Sequence, residues 1–489
     1  MEAAAAIAAL PVAALVLGAL LRTAAGGRLV ALPTGERWHD RPTPTFGGVA
    51  IVAGLVAGTA AAVAAGAVEP STELAGIAGG AALLFLAGLV DDVRTLSPLV
   101  KVCAQLAAAG IAVASGLTVE LVGNDALATS IALLWLVGIT NAFNLLDNMD
   151  GLAATLAAIA CGYFAIAAAA GSPANELVLV LALALGAACL GFLPFNLRPR
   201  GRAAVFMGDS GSLVIGFTLA ALALASSWTV AGTTVATVLL PLLVLAIPIL
   251  DTTLVTVVRL LERRPVTRGG TDHASHRLVY YGLSEAKAVA LLSLIAIALG
   301  ATAVAYNILD NARVTAVGVL VTFAILVQFA SFLSDLEERQ RRGAAGPEPT
   351  LLQALFSQPR RLLEILLDFV LICLSLLASY ALLVEGGGSE WQRGTFLAAL
   401  PIVLGLRYLA FTAFGVYRRV WRFAGPADLV AIAVGSVLSG AVALGVLSAI
   451  RPLNDFPWEV FVLDAVLCAV LVAGSRLLFR AAAHVHARR

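Results

Sequence analysis

Charge is what this sequence has least of. Only 12% of its 489 residues are Asp, Glu, Lys or Arg, and 60% are hydrophobic. Soluble domains carry roughly 25% charged residues, so a soluble globule is excluded and a polytopic membrane protein is implied. Lysine is nearly missing, at Lys101 and Lys287 alone; the positive charge is almost all Arg. A net charge of +1 says little about partners. Cysteine is scarce: Cys103, Cys161, Cys189, Cys373 and Cys468 all fall inside apolar runs. An odd count with no CxxC pair argues against a disulfide framework and a zinc ribbon, and these residues read as small core side chains. The chain has no GxxxxGK[ST], which leaves P-loop ATP hydrolysis unsupported. The first apolar run, Ala3–Leu21, has no basic segment before it, so it reads as a retained helix rather than a cleaved signal.

What is present is a succession of long apolar runs. A spanning helix needs about 20 predominantly apolar residues. Fifteen candidates qualify: Ala3–Leu21, Phe46–Val68, Leu74–Val90, Val100–Leu117, Ile131–Leu146, Leu152–Ala170, Leu177–Phe195, Gly211–Trp228, Val235–Val258, Ala288–Tyr306, Val314–Leu333, Leu362–Leu383, Thr395–Phe414, Leu429–Ile450 and Val460–Leu478. The loops between them alternate. One set is rich in Arg, for example Arg198, Arg200 and Arg202, or Arg259, Arg263, Arg264 and Arg268; the other is nearly bare. The positive-inside rule makes the Arg-rich set cytoplasmic. An odd number of spans then puts the N-terminus outside and the C-terminus in the cytoplasm. The expected fold is all-α. A charged, Gly- and Pro-bearing segment, residues 336–361, reads as a cytoplasmic linker. It divides an eleven-helix module (1–335) from a four-helix module (362–489).

Polar residues gather at span ends on the Arg-rich side: Asp91 and Asp92, then Asn141, Asn144, Asp147 and Asp150, then Asp209, then the run RGGTDHASHRL, Arg268–Leu278. A carboxylate at the bilayer centre costs on the order of 3 kcal/mol, so such residues are functional candidates. Asn141, Asn144, Asp147 and Asp150 recur every three residues and would trace one broad face of a continued helix. The bland alternative is a helix end that meets water. Asp91 and Asp92 lie roughly 100° apart on a helix, so they face different partners. GDSGS, Gly208–Ser212, looks like a serine-protease nucleophile stretch, but that chemistry needs a His base in another fold context. It is not GxSxG either, so the hydrolase elbow fails. His273 and His276 lack the further His or Cys ligands that a zinc site wants. Carboxylates without thiolates favour Mg²⁺ or Mn²⁺. Acids for a divalent cation, with His and Arg for anions, suit a diphosphate substrate, and the flanking apolar helices suit a lipid co-substrate.

These motifs resemble the polyprenyl-phosphate N-acetylhexosamine-1-phosphate transferases, the superfamily containing WecA and MraY, over about Ala3–Leu333. HDRPTPTFGG (His39–Gly48), GLVDDVRTLSPLVK (Gly88–Lys101), NAFNLLDNMDGLA (Asn141–Ala153), GFLPFN with FMGDSGSL (Gly191–Leu213) and DHASHRL (Asp272–Leu278) come in the family's order. Two positions depart from the pattern. Asn148 stands where the family often has Gly, and Ser275 replaces one His of a frequent HxHH. An HHH run, usual in the MraY branch, is absent, which favours the WecA-like branch. The resemblance implies transfer of a sugar-1-phosphate from a UDP-sugar to polyprenyl phosphate, with release of UMP, in cell-envelope glycan synthesis. It implies Mg²⁺ on Asp209 with Asp92 nearby, and Asp91 deprotonating or orienting the lipid phosphate. Asp147, Asn144 and Asp150 would line the nucleotide and metal pocket with Asn141. His39, Lys101, His273, His276 and Arg277 would contact substrate. A bacterial inner-membrane location, a cytoplasmic-facing site and a homodimer are further expectations.

The second module resembles the four-helix membrane region of CapD-type nucleotide-sugar dehydratases, without GxxGxxG. Expected roles are an anchor or a docking surface for a sugar-modifying enzyme. Two rival readings of the whole chain remain: a transporter or flippase of lipid-linked sugars, and an inactive scaffold of a glycan-assembly complex.

Overall fold

A computed structural model describes residues 2–23, 30–31, 42–119, 124–171, 173–197, 202–226, 240–261, 263, 273–280, 282–309, 321, 359–383, 390–417, 426–449 and 457–486. Its helices are α1 (Ala9–Arg22, extended at its start by a 3-10 turn), α2 (Gly47–Ala64), α3 (Thr72–Val93), α4 (Pro98–Ala114), α5 (Asp125–Leu146), α6 (Leu152–Ala170), α7 (Glu176–Asn196), α8 (Asp209–Ser226), α9 (Ala246–Leu261), α10 (Ala274–Tyr280), α11 (Glu285–Leu309), α12 (Pro359–Leu383), α13 (Glu390–Ala413), α14 (Pro426–Ala449) and α15 (Trp458–His486). Among the described residues, the one addition to an all-α fold is a two-residue antiparallel ladder that pairs Val30–Ala31 with Thr43–Pro44.

Among the described residues, eleven of the fifteen candidate spans are helices long and apolar enough to cross a membrane. The run Val100–Leu117 is the shorter apolar helix α4, and Thr395–Phe414 falls within α13, apolar over Ala399–Ala413. The run Val235–Val258 is not one helix: a turn at Leu245 precedes α9. Pro248 has no N–H to give to the preceding turn, which favours a helix start here. The candidate Val314–Leu333 lies outside the described residues, apart from Val321. Helix α12 begins at Pro359, with proline in the first helical turn; residues 336–358 of the expected linker lie outside the described residues. Cys103 corrects the reading of all five thiols as core, because it is exposed on α4.

Helix α8 is the axis of the first group. Every residue from Ser210 to Ser226 is buried, enclosed by α3 and α5, with α2, α6 and α7 behind. Small residues permit this. A Cβ on Gly48 would come within 2.3 Å of the Gly211 nitrogen, so α2 and α8 touch through their backbones. α5 runs antiparallel to α8: Trp135 Nε1 donates to Ala220 O at 3.2 Å, Thr140 and Phe143 abut Gly216, and Asn144 Nδ2 donates to Ser212 Oγ at 3.0 Å. One turn further, this register brings Asp147 level with Asp209.

Helices α12–α15 pack on one another as a second group. Its interior holds two ion pairs, Arg407 Nη2–Asp464 Oδ2 and Arg476 Nη2–Asp368 Oδ2, each at 2.6 Å. Ser375 Oγ donates to Asp464 Oδ1 at 2.5 Å, so α12, α13 and α15 meet at one buried carboxylate.

Candidate active site

The corner where α3 ends and α8 begins is built from local rules. Ser97 caps α4 by accepting from Val100 N, and Pro98 opens that helix. Asp91 Oδ1 accepts from Leu96 N at 2.6 Å, which folds the α3–α4 turn back on the end of α3. Lys101, one turn into α4, therefore returns to the acids: Nζ lies 2.7 Å from Asp91 Oδ2 and 2.5 Å from Asp209 Oδ2. Its side chain is 25% exposed, so the cluster is open to arriving molecules. Asp92 faces another way, as its position on the helix predicts. Its two oxygens accept from Asp209 N at 2.8 Å and Ser210 N at 3.1 Å. A side chain from α3 thus caps α8 and satisfies amides that a helix start leaves open. Gly208 makes room, with φ of 75° and space for no Cβ beside the Asp92 carboxylate.

The end of α5 differs from the expected continuous face. The helix stops at Leu146, and Asp147 sits at its C-terminal cap. Asn141 and Asn144 are on the helix, whereas Asp150 lies in the turn beyond. Asp150 Oδ2 accepts from Ala203 N at 3.0 Å. Asn196, at the end of α7, adds a second stitch: Oδ1 accepts from Gly151 N at 2.6 Å, and Nδ2 donates to Val205 O at 2.9 Å. Asp150 and Asn196 therefore hold the segment leading to Asp209 against the α5–α6 turn. Backbone bonds from Gly47 N to Phe206 O and Gly48 N to Met207 O brace its other side.

The histidine segment forms the short helix α10, with His273, Ser275 and His276 buried. Asp251 of α9, absent from the sequence-derived set, anchors it. Asp251 Oδ1 accepts from Ala274 N at 2.6 Å, and Oδ2 lies 2.7 Å from His273 Nδ1. The two positions that depart from the family pattern meet each other: Ser275 Oγ lies 2.8 Å from Asn148 Oδ1. Asn148 Nδ2 in turn donates to Leu145 O at 3.0 Å. The histidine helix is thus tied to the residue beside Asp147. Arg277 lies on the same short helix. His39 lies outside the described residues.

Electrostatically the corner is unbalanced. Asp91 and Asp209 share the ammonium of Lys101, and the Asp92 carboxylate lies beside them on the amides of Asp209 and Ser210. Among the described residues, no three His, Cys, Asp or Glu side chains form a ready-made metal cage. Mg²⁺ does not need one, since it is usually held by one or two carboxylates together with substrate phosphates and water. The donor set suits such an ion: hard oxygens of Asp209 and Asp91, already drawn around one cation.

The comparisons with known proteins agree with this geometry. A family model described as glycosyl transferase family 4 matches residues 74–227, a range that holds Asp91, Asp92, Asp147 and Asp209. A Bacillus subtilis protein named "Probable undecaprenyl-phosphate N-acetylglucosaminyl 1-phosphate transferase" is 36% identical over 272 residues, 54% of this chain and 73% of that protein. The decaprenyl-phosphate N-acetylglucosaminephosphotransferase of Mycolicibacterium smegmatis is 32% identical over 359 residues, 65% of this chain and 84% of that one. The phospho-N-acetylmuramoyl-pentapeptide-transferase of Oceanobacillus iheyensis matches at 52%, over 89 residues that make up 18% of this chain and 26% of its own. With its ordered motifs gathered at one corner and likeness running through most of the length of such relatives, the chain belongs to the family of polyprenyl-phosphate N-acetylhexosamine-1-phosphate transferases.

Proposed function

We propose that this protein transfers N-acetylhexosamine-1-phosphate from a UDP-sugar to polyprenyl phosphate, from the cytoplasmic face of a bacterial inner membrane. The observation that carries the reading is the surplus of carboxylate at the start of α8, at one end of a bundle of apolar helices. Both substrates are anions. Their mutual repulsion opposes attack unless fixed positive charge stands between them. Lys101 is one such charge. Mg²⁺ held by Asp209 and by substrate phosphates supplies the rest when bound.

The residues of the chain divide the remaining work. Asp91 orients the lipid phosphate and accepts its proton where one is present. An oxygen of that phosphate forms a bond to the sugar-linked phosphorus, the bond from that phosphorus to the bridging oxygen breaks, and UMP leaves with the electron pair. Asp92 holds the amides of Asp209 and Ser210 and so fixes where Asp209 stands. Asn144, bonded to Ser212, and Asp147 line the pocket on the α5 side. His273, His276 and Arg277 bind the nucleotide-sugar phosphates.

The transporter reading is weaker on structural grounds. Carriers place their polar site near the bilayer midplane, whereas Asp91, Asp92, Asp147 and Asp209 all lie at helix ends. The deciding experiment incubates the purified chain with polyprenyl phosphate, Mg²⁺ and a panel of UDP-sugars. UMP release with at least one N-acetylhexosamine donor is expected; silence with every donor refutes the reading.

A further inference from the structure

Asp251 stands alone in an apolar stretch, IPILDTTLV, and is 3% exposed. An acid in such a run carries an insertion cost of about 3 kcal/mol, so its partners matter. Both oxygens are used, and both reach the same short helix: Ala274 N at 2.6 Å and His273 Nδ1 at 2.7 Å. A carboxylate can only accept, so the proton in the second contact belongs to Nδ1. The remaining polar atom of the ring is then Nε2. Because one carboxylate grips the ring and the next backbone amide, it fixes the ring relative to the chain as well as the start of the helix. An imidazolium donates from both ring nitrogens, so the ring would meet the carboxylate at Nδ1 and a phosphate oxygen at Nε2.

We propose that Asp251 is a positioning residue of the transferase site, one that orients His273 so that Nε2 meets the diphosphate of the nucleotide sugar. This inference rests on the transferase reading above. Asp251 itself touches no substrate; it acts through His273. The bond between Ser275 and Asn148 supplies the second tether of the same helix, and it links the ring to the turn that carries Asp147.

The test measures kcat and KM for the full chain in lipid nanodiscs, with UDP-N-acetylglucosamine and polyprenyl phosphate. It compares wild type, Asp251→Asn, His273→Gln and the double variant. Asparagine caps a helix as well as aspartate does, so Asp251→Asn keeps the bond to Ala274 N and loses the ionised partner of the ring. Its kcat/KM is expected to fall by about 10- to 100-fold, as outer partners of an active imidazole do, with an unchanged thermal unfolding midpoint. In the His273→Gln background the same change is expected to cost nothing more, because the ring it orients is gone. If Asp251→Asn does not fold, Asp251→Ser retains a capping oxygen and is read in the same way. An Asp251 variant with wild-type kinetics, or losses that multiply in the double variant, overturns the inference and leaves the transferase reading standing. A wild-type chain that releases no UMP overturns the transferase reading first.

Discussion

Two charged clusters lie among these apolar helices, and they differ in whether their charges balance. In the four-helix group the buried carboxylates Asp368 and Asp464 each have their own guanidinium, and the Arg407–Asp464 pair is 0% exposed on both sides. At the α3–α8 corner two carboxylates share the ammonium of Lys101, a third caps the helix beside them, and the Lys101 side chain is 25% exposed. A neutral, sealed pair balances its own charge. Its attraction offsets desolvation, and it ties one helix to another. A half-open cluster with surplus negative charge is incomplete and attracts a cation. The first arrangement belongs to architecture and the second to chemistry.

Experiments can break or sharpen that contrast. The largest effect is expected from chelation: EDTA should abolish UMP release and added Mg²⁺ should restore it, with the fold unchanged by circular dichroism. Activity that survives chelation would place the surplus charge in some other role. Asp209→Asn comes next. It should lower turnover by about 10³-fold, the scale on which a preorganised electrostatic partner is lost, and leave the unfolding midpoint near wild type. In the four-helix group the pattern should invert. Arg407→Met strands the Asp464 carboxylate and should destabilise the protein by about 3–5 kcal/mol, seen as earlier unfolding on heating, while kcat in the folded fraction stays the same. Replacing the partner too, with Arg407→Met and Asp464→Leu together, should recover most of that loss. A fall in kcat for the double variant would make the second group part of the catalytic unit. The smallest effect belongs to Asn148 and Ser275. Ser275→Ala and Asn148→Gly should each weaken turnover slightly, with a coupling of about 0.5–1.5 kcal/mol in a double-mutant cycle, the worth of one hydrogen bond.

The contrast also shows what a sequence displays. Asp91, Asp92 and Asp209 were legible because they stand at the ends of apolar runs, where several polar residues cluster. Their convergence was legible only through motif order; that Lys101 lies between two of them depends on a turn folded by the Asp91–Leu96 bond. Asp251 stands as a single acid inside a run. The same insertion cost that marks the clusters would have marked it. For Asp368, Arg407, Asp464 and Arg476 nothing nearby in the chain points to their pairing, because their partners are up to 108 residues away. The α5 face failed at Asp150 because a helix cannot be assumed to continue past its last bonded turn. The Asn148–Ser275 bond, between residues 127 apart, has no local signal in the chain.

The cap that Asp92 places on α8 joins segments 117 residues apart. As the chain is synthesised, the third helix must wait until the eighth has entered the membrane before its carboxylate finds those amides. The histidine helix emerges later still. A partly made chain therefore presents loose acids without the assembled corner proposed to seat two phosphates, and that corner comes into being as one of the last acts of folding.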